Sequence, residues 1–196
     1  MRKNLEIETP EIIIEDNKRI INFIDILFYP LFKALNIMYP NQKDKHKFNV
    51  YTIVLGLTKG YSIDAINFIL NQAKLESDDF KSNVYQNTLN AIGMRCVYIR
   101  ETTQTGCYDT TYNGNFGIYD SVYNCVKDRY LWGSYFNEAK TFPEIQEKAK
   151  QYYNSSDKNY TEKINALDSY KWCIYLVISS LPITVYALYK LINLFK

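Results

Sequence analysis

The residue types that usually carry chemistry are few in this chain and do not cluster in its sequence. Asp109, Asp120 and Asp128 form no recognisable acid/base pair, and no glycine-rich phosphate-binding loop occurs. The single histidine, His46, lies in a charged segment, where an imidazole is usually solvated. We therefore expect a chain that is not an enzyme and that binds no cofactor.

The cysteine spacing predicts no metal site. Cys96, Cys107, Cys125 and Cys173 show no CxxC spacing, and a single histidine adds too little for a zinc site. Two interpretations of the thiols remain open. Cys107 and Cys125 form a disulfide, or all four are free thiols that act as small hydrophobic side chains. The sequence favours free thiols.

The composition bounds the size of the fold and argues against one class of partner. The chain has 196 residues, enough for one domain with a sizeable core, and a net charge of +2. A charge so small gives no field that would attract nucleic acid. The 19 tyrosines suit a membrane boundary, although a biased base composition would explain them equally well.

Two predicted helices would position the remaining polar residues. The first runs from about Asn83 to Thr103, and Arg100 and Gln104 lie four residues apart on one face at its end. The second, over 118–130, is amphipathic, with Asp128 on its polar side. It fits either a membrane interface or the surface of a soluble core.

Two apolar segments raise the question of a membrane. Residues 172–189 carry no charge and lie between Lys171 and Lys190, and their length approaches the roughly 20 apolar residues of a spanning helix. The alternative is a buried helix in a soluble protein. The segment 20–39, which Pro30 should kink, has the same two interpretations.

Three motifs resemble those of mitochondrial carriers. The stretch RCVYIRETTQ resembles the end of an odd-numbered carrier helix, with Arg100 at a basic position and Gln104 at the glutamine position. YNGNFGIYDSVYNCVKDRYLWGSYF resembles the matrix helix that follows. YALYK resembles the aromatic-acid-x-x-basic motif through Tyr186 and Lys190. On these motifs the chain is identified as a degenerate member of that family, with about two of its three repeats.

The resemblance implies a fold and a division of the chain. The fold would be an all-α membrane bundle of about three to four spanning helices with short interfacial helices. Residues 1–80 would form an eroded first repeat with an N-terminal extension. Residues 81–196 would form a second repeat with a polar, water-exposed insertion at 136–163.

The resemblance also assigns roles to residues. The carrier gates need acids where this chain has Phe32, Val97 and Ala187, so transport is not expected, and Arg100 would need a lipid phosphate or another subunit as its partner. The degenerate gate positions are Arg100, Gln104, Tyr186 and Lys190. The candidates for binding cardiolipin are Lys59, Gly60, Tyr112, Asn113, Gly114, Trp132 and Gly133.

The function implied is that of a structural accessory subunit. It would be a non-transporting part of a respiratory or ATP-synthase complex in the mitochondrial inner membrane, in contact with other subunits and with membrane lipids. Two alternatives stay open. One is a four-helix protein similar to the inner-membrane import translocases, and the other is a soluble all-helical interaction protein.

Overall fold

The computed structural model describes residues 19, 22–38, 42–110, 114–137, 140–153 and 157–180, and these are mostly helical. The helices are α1 Tyr29–Met38, α2 Lys43–Thr58, α3 Ile63–Glu76, α4 Asn83–Thr88, α5 Val122–Tyr135, α6 Phe142–Lys148 and α7 Tyr160–Asn165. A π-helical stretch, Ala149–Tyr153, continues α6, and residues 171–180 are helical. Strands β1 Gly106–Thr110 and β2 Gly114–Ile118 form an antiparallel hairpin in which Tyr108 pairs with Phe116.

The predicted membrane bundle is wrong. Within the described residues, no helix combines the length and the apolar character needed to cross a membrane. The hairpin also departs from an all-α fold. The apolar segment 20–39 is apolar for another reason, because Phe28 and Phe32 pack into the protein core. A description of the chain as a transmembrane, carrier-like protein therefore does not hold.

The predicted span at 172–189 is described only as far as residue 180, and the rest lies outside the described residues. In the described part, Ile174 and Val177 are buried in the core while Trp172 and Tyr175 are exposed. Burial that recurs every three residues, with exposed residues in between, is typical of a helix that packs one face against a protein.

The core lies where α2, α3 and α5 meet. Gly56 of α2 allows a close approach, since a Cβ there would lie 2.6 Å from the Tyr130 hydroxyl and 2.7 Å from Ile66. That hydroxyl donates a 2.7 Å hydrogen bond to the Thr52 carbonyl oxygen. One connected core takes in residues from Ile24 to Val177, so both predicted repeats contribute to it.

The segment 136–163 packs onto this core. Ile145 and Ala149 are fully buried, and so is Ile164 of α7 just beyond the segment. The side-chain amide of Asn71 on α3 donates a 3.2 Å hydrogen bond to the Ile164 carbonyl oxygen. The predicted exposure of the whole segment is therefore wrong, because Phe142, Ile145 and Ala149, spaced three and four residues apart, pack in or against the core.

The predicted helix from Asn83 to Thr103 ends fifteen residues early, at Thr88. Leu89 takes a left-handed conformation with a φ of 54°, which stops the helix. The Asn90 side chain then donates to the carbonyl oxygens of Met94 and Gly117 at 2.7 and 3.0 Å. These bonds hold residues 89–105 as an irregular segment, so Arg100 and Gln104 do not share a helical face.

The close approach at Gly56 predicts a large effect of a small substitution. Gly56→Ala should lower the free energy of unfolding by about 1–3 kcal/mol, because overpacking a core forces its neighbours to move. The control is Gly106→Ala, whose Cβ would lie 3.6 Å from Ile118, an ordinary contact distance. Urea unfolding measures both variants, and equal losses would contradict the packing described here.

Candidate active site

A cavity of about 590 Å³ lies between the segment 93–100 and the end of α5 with its π-helical neighbour. It is open to solvent on one side and has a mixed polar and aromatic lining. The lining residues are Glu76, Gly93, Met94, Arg95, Cys96, Val97, Tyr98, Ile99, Arg100, Phe116, Trp132, Tyr135, Phe136 and Tyr152. Among them Glu76 is the only carboxylate.

Glu76 is the last residue of α3 and is partly buried. Its Oε1 accepts a 2.6 Å hydrogen bond from the Tyr160 hydroxyl. Burial raises the pKa of Glu76 above its usual value, and the Tyr160 hydrogen bond and the charge of Arg95 only partly oppose this. Asp157, a like charge, adds to the rise. Glu76 is thus a carboxyl group that holds its proton to higher pH than usual.

The turn after Glu76 fixes the carboxyl group in place. Asp78, Asp79 and Phe80 all have positive φ, between 49° and 68°, which is unusual for residues other than glycine. The Ser77 hydroxyl holds this turn, because it donates to the Ala73 carbonyl oxygen at 2.6 Å and accepts from the Phe80 amide at 2.8 Å. Such unfavourable backbone persists where the surrounding structure determines it, and it concentrates at functional sites.

Gly93 gives the other carboxylate oxygen its space. Its φ is +69°, and a Cβ at this position would lie 2.6 Å from Glu76 Oε2. Any larger residue would therefore collide with the carboxylate, as well as being strained in the left-handed region. Oε2 therefore lies against Gly93, and both residues line the cavity.

A buried chain of hydrogen bonds lies behind Glu76. The Gln72 side-chain nitrogen donates to the Tyr160 hydroxyl oxygen at 3.0 Å, and Arg129 Nε donates to Gln72 Oε1 at 3.0 Å. The Arg129 guanidinium also lies 4.8 Å from the centroid of the Trp132 ring. Gln72 and Glu76 are four residues apart, so α3 presents both on one face.

One wall of the cavity is aromatic. The Trp132 and Phe136 rings lie 5.0 Å apart, and Phe136 stacks on Tyr152 at 4.7 Å with an interplanar angle of 22°. Trp132 is nearly buried, whereas Tyr152 is 44% exposed, so this row of rings runs from the interior to the rim. The π-helical stretch supplies Tyr152, and such stretches are frequent at functional sites.

The opposite wall is held by the buried ion pair of Arg100 and Asp128. The guanidinium donates two hydrogen bonds to this carboxylate, at 2.7 and 3.1 Å, and the two side chains are 4% and 0% exposed. The Tyr119 hydroxyl donates to Asp128 at 2.7 Å. The predicted position of Asp128 on a polar surface is therefore wrong, and Arg100 has a partner within its own chain.

Gln104 and a disulfide complete this wall. Gln104 Oε1 accepts from the Val97 amide at 3.1 Å, and its Nε2 donates to the Arg95 carbonyl oxygen at 2.9 Å. Cys96, which lines the cavity, is bonded to Cys107 of β1. The favoured prediction of four free thiols is therefore wrong for Cys96 and Cys107 and right for Cys125 and Cys173. The alternative pairing of Cys107 with Cys125 is also wrong, since Cys125 is a free, buried thiol whose pKa burial raises to about 12.

The structure brings together only some of the residues that the sequence singled out. Arg100 and Trp132 line the cavity, Gln104 supports its wall, and Gly133 follows Trp132 on α5. Lys59 and Gly60, after α2, and Gly114, at the start of β2, are not lining residues. Tyr112, Asn113, Tyr186 and Lys190 lie outside the described residues.

Sequence reasoning missed Glu76, Tyr160 and Arg129. The signal that could have found Glu76 was its position, a glutamate four residues after Gln72 at the end of α3. No comparable signal marked Tyr160 among 19 tyrosines. Within the described ranges, no group of three or more histidine, cysteine, aspartate or glutamate residues is placed to hold a metal ion.

Comparisons with known proteins do not identify a family for this chain. No protein-family model and no curated protein matches the chain. Among solved structures, it is similar to the catalytic domain of the autolysin Auto from Listeria monocytogenes, at 19% sequence identity and a TM-score of 0.41. That match covers 74% of this chain and 86% of the autolysin domain. No family is assigned to the chain on this basis.

The ion pair beside the cavity should make a large contribution to stability. Asp128→Asn leaves the Arg100 charge buried without its carboxylate, so we expect a loss of about 3–5 kcal/mol in the free energy of unfolding. The control is Asp64→Asn, which breaks the exposed pair with Lys171 and should cost at most about 1 kcal/mol. Chemical denaturation compares the two, and similar losses would show that the Arg100–Asp128 pair is not buried.

Proposed function

We propose that the cavity is the active site of a glycoside hydrolase in which Glu76 is the proton donor. The observation that carries this proposal is a carboxyl group with a raised pKa at an aromatic-lined cavity. A carboxyl group with a raised pKa keeps its proton to higher pH than usual, and a protonated carboxyl group can act as a general acid. Glycosidic bonds are broken by such an acid, which protonates the oxygen of the leaving group.

The hydrogen bonds of Glu76 favour a particular position for its proton. Oε1 already accepts from Tyr160, whose own pKa is raised far above its usual value by burial and by Glu76, so the tyrosine keeps its proton. The proton of neutral Glu76 therefore belongs on Oε2, beside Gly93. That oxygen faces the cavity, where the leaving-group oxygen of a substrate would lie.

The lining fits a sugar better than a peptide or a nucleotide. Pyranose rings present C–H groups on their faces, and these pack against aromatic rings such as Tyr152 and Tyr135, both about half exposed. The segment 93–100 offers Arg95 and backbone groups to the hydroxyl groups around the ring edge. A mixed polar and aromatic lining of this kind is typical of a site for a small polar ligand with apolar faces.

The reaction also needs a group that stabilises the anomeric carbon when the bond breaks. Because Glu76 is the only carboxylate among the described residues that line the cavity, we infer that the substrate supplies this group itself, through the acetamido group of a 2-acetamido sugar. The acetamido oxygen would attack the anomeric carbon while Glu76 protonates the leaving oxygen. A water molecule, deprotonated by Glu76, would then open the cyclic intermediate and return the proton to the carboxyl group.

Asp109 of β1, an exposed carboxylate outside the described lining, is the second candidate for that role. Side chains alternate along a strand, so Asp109 shares the face of β1 that carries Cys107, the disulfide partner of the cavity residue Cys96. Asp109→Asn separates the two mechanisms. Retained cleavage favours participation of the acetamido group, and lost cleavage in a folded variant favours a second carboxylate.

The earlier prediction of a structural accessory subunit stays untested, as does the expectation that the chain is not an enzyme. The first rested on a membrane bundle, which the described helices do not form. The second rested on the lack of a recognisable acid/base pair and of a phosphate-binding loop in the sequence. The soluble interaction protein also stays a prediction. A catalytic role is preferred here because an interaction protein gives no reason for a desolvated carboxyl group at the wall of a cavity.

Glu76→Gln should abolish the activity. We expect cleavage of chitin oligosaccharides by the unmodified chain and a loss of at least about 1000-fold in kcat/KM for the variant, since an amide cannot donate the proton. The control is Glu101→Gln, the same change at an exposed residue outside the lining. Chromatography of the products measures both variants, and full activity of Glu76→Gln would contradict the proposal.

The same variant should be more stable than the unmodified chain. Burial raises the pKa of Glu76, so the folded state loses stability as pH rises through that pKa and is more stable below the usual pKa of about 4. Glutamine removes this penalty, and we expect the Tm at pH 7 to rise by a few degrees. Calorimetry should show the difference shrinking toward pH 4, and a lower Tm at pH 7 would contradict a desolvated Glu76.

The aromatic row should bind sugars away from the cleaved bond. Tyr152→Ala should reduce kcat/KM by about tenfold on chitin oligosaccharides of five or six units, through KM, and have little effect on the shortest one that is cleaved. Tyr152→Phe should retain activity, because the ring face is what binds. The control is Tyr175→Ala, a similarly exposed tyrosine on residues 171–180. The same loss at every length would argue against a separate sugar site.

A further inference from the structure

We infer that Arg129 is a positioning residue for Glu76. It acts through Gln72 and Tyr160, and it holds the proton of the neutral carboxyl group on the oxygen that faces the cavity. The effect on catalysis rests on the proposed function, whereas the hydrogen-bond chain itself does not. Arg129 does not line the cavity, and the hydrogen-bonded side chains of Gln72 and Tyr160 connect it to Glu76.

Arg129 determines which atom donates and which accepts in this series of hydrogen bonds. A guanidinium can only donate hydrogen bonds, so the Gln72 atom that lies 3.0 Å from Arg129 Nε must be the amide oxygen. The amide nitrogen then points the other way, at the Tyr160 hydroxyl oxygen 3.0 Å away. Without a cation at this place, the Gln72 amide could turn over and present its oxygen to Tyr160.

Tyr160 continues the same order of donor and acceptor. The Tyr160 oxygen accepts a hydrogen bond from the Gln72 amide nitrogen. Because that nitrogen has no lone pair that could accept a hydrogen bond, the Tyr160 hydroxyl proton is donated to Glu76 Oε1 at 2.6 Å. An oxygen that already accepts a short hydrogen bond is the poorer place for a second proton. The carboxyl proton is therefore directed to Oε2, the oxygen beside Gly93.

The hydrogen-bonded side chains are buried, and so water cannot easily replace any of them. Arg129 and Gln72 have no exposed surface, and Tyr160 is 2% exposed. The Trp132 ring, 4.8 Å from the Arg129 guanidinium, fixes the cation from the other side. Hydrogen bonds in such a chain strengthen one another, so loss of the first should weaken the last.

Other groups that act on Glu76 do so in a different way. Arg95 and Asp157 influence the carboxyl group through their charges, in opposite directions, and neither belongs to the chain of hydrogen bonds. Tyr160 is influenced by the charges of Glu76 and Arg129. A substitution at Gln72 interrupts the chain while leaving all of these charges in place.

The test is Gln72→Met, which nearly conserves volume and removes both hydrogen bonds of the amide. Carbon NMR of the protein labelled at the glutamate side-chain carboxyl carbons gives the pKa of Glu76 directly. We expect that pKa to rise by at least about half a unit, because the Tyr160 hydrogen bond that favours the carboxylate becomes weaker. The upper limb of the pH profile of kcat/KM should move to higher pH by the same amount.

The matched control is Asn71→Leu, on the same helix. Asn71 is a buried amide whose nitrogen donates to the Ile164 carbonyl oxygen, outside the chain, so this variant also loses a buried hydrogen bond. It should lower stability without moving the pKa of Glu76. Arg129→Met should also raise the pKa of Glu76. If Arg129→Met does not fold, the result for Gln72→Met alone tests the inference.

The NMR result separates this inference from the proposed function. A raised pKa in Gln72→Met, with Asn71→Leu unchanged, supports the role of Arg129 and Gln72 even if no glycan is cleaved. An unchanged pKa in Gln72→Met overturns that role even if the unmodified chain cleaves glycans. A shift of equal size in both variants also overturns it, because the effect would then be a general consequence of loosening α3.

Discussion

The hydrogen bond between Tyr160 and Glu76 joins the two parts of the molecule on which the candidate site depends. It links α7 to the end of α3 at 2.6 Å, across 84 residues of sequence. Both groups are largely removed from water, and an ionisable group in that condition is costly unless it is paired or protonated. The cavity, the left-handed turn after Ser77 and the glycine at position 93 all surround this bond.

A second buried interaction shapes the other wall. The Arg100–Asp128 pair holds the segment 89–105 against α5, with Tyr119 and Gln104 occupying further hydrogen-bonding positions of the carboxylate. A buried pair is expensive to form and expensive to break. It contributes little net stability against an apolar alternative, but it defines where an irregular segment must lie. Two charged residues adjacent in sequence on α5 thus support the site, since Asp128 binds Arg100 and Arg129 binds Gln72.

Local chemistry in the sequence predicted some of this fold. The helical pattern over 118–130 corresponds to α5, although that helix begins at Val122, after the capping residue Ser121, and residue 118 belongs to β2. The membrane interpretation failed because apolar runs are equally suited to a protein core, and only the packing of Phe28, Ile66 and Ile174 distinguishes the two. The long helix to Thr103 failed because one side chain, Asn90, captures carbonyl groups that a helix would have used.

The candidate site was beyond sequence reasoning for a similar reason. Arg100 and Gln104 were recognised as unusual, but their partner Asp128 lies 28 residues after Arg100 in the sequence, and only the folded structure shows that they are in contact. Burial raises the pKa of Glu76, and its hydrogen bond to Tyr160 spans 84 residues of sequence, so neither property can be read from its neighbours in sequence. The most direct test of the central claim is proton NMR of the anomeric signals in the first minutes after the chain meets a chitin oligosaccharide. The account predicts new reducing ends that are first of the β configuration, as participation of the acetamido group requires. New ends that are first of the α configuration, or no new ends at all, would contradict it.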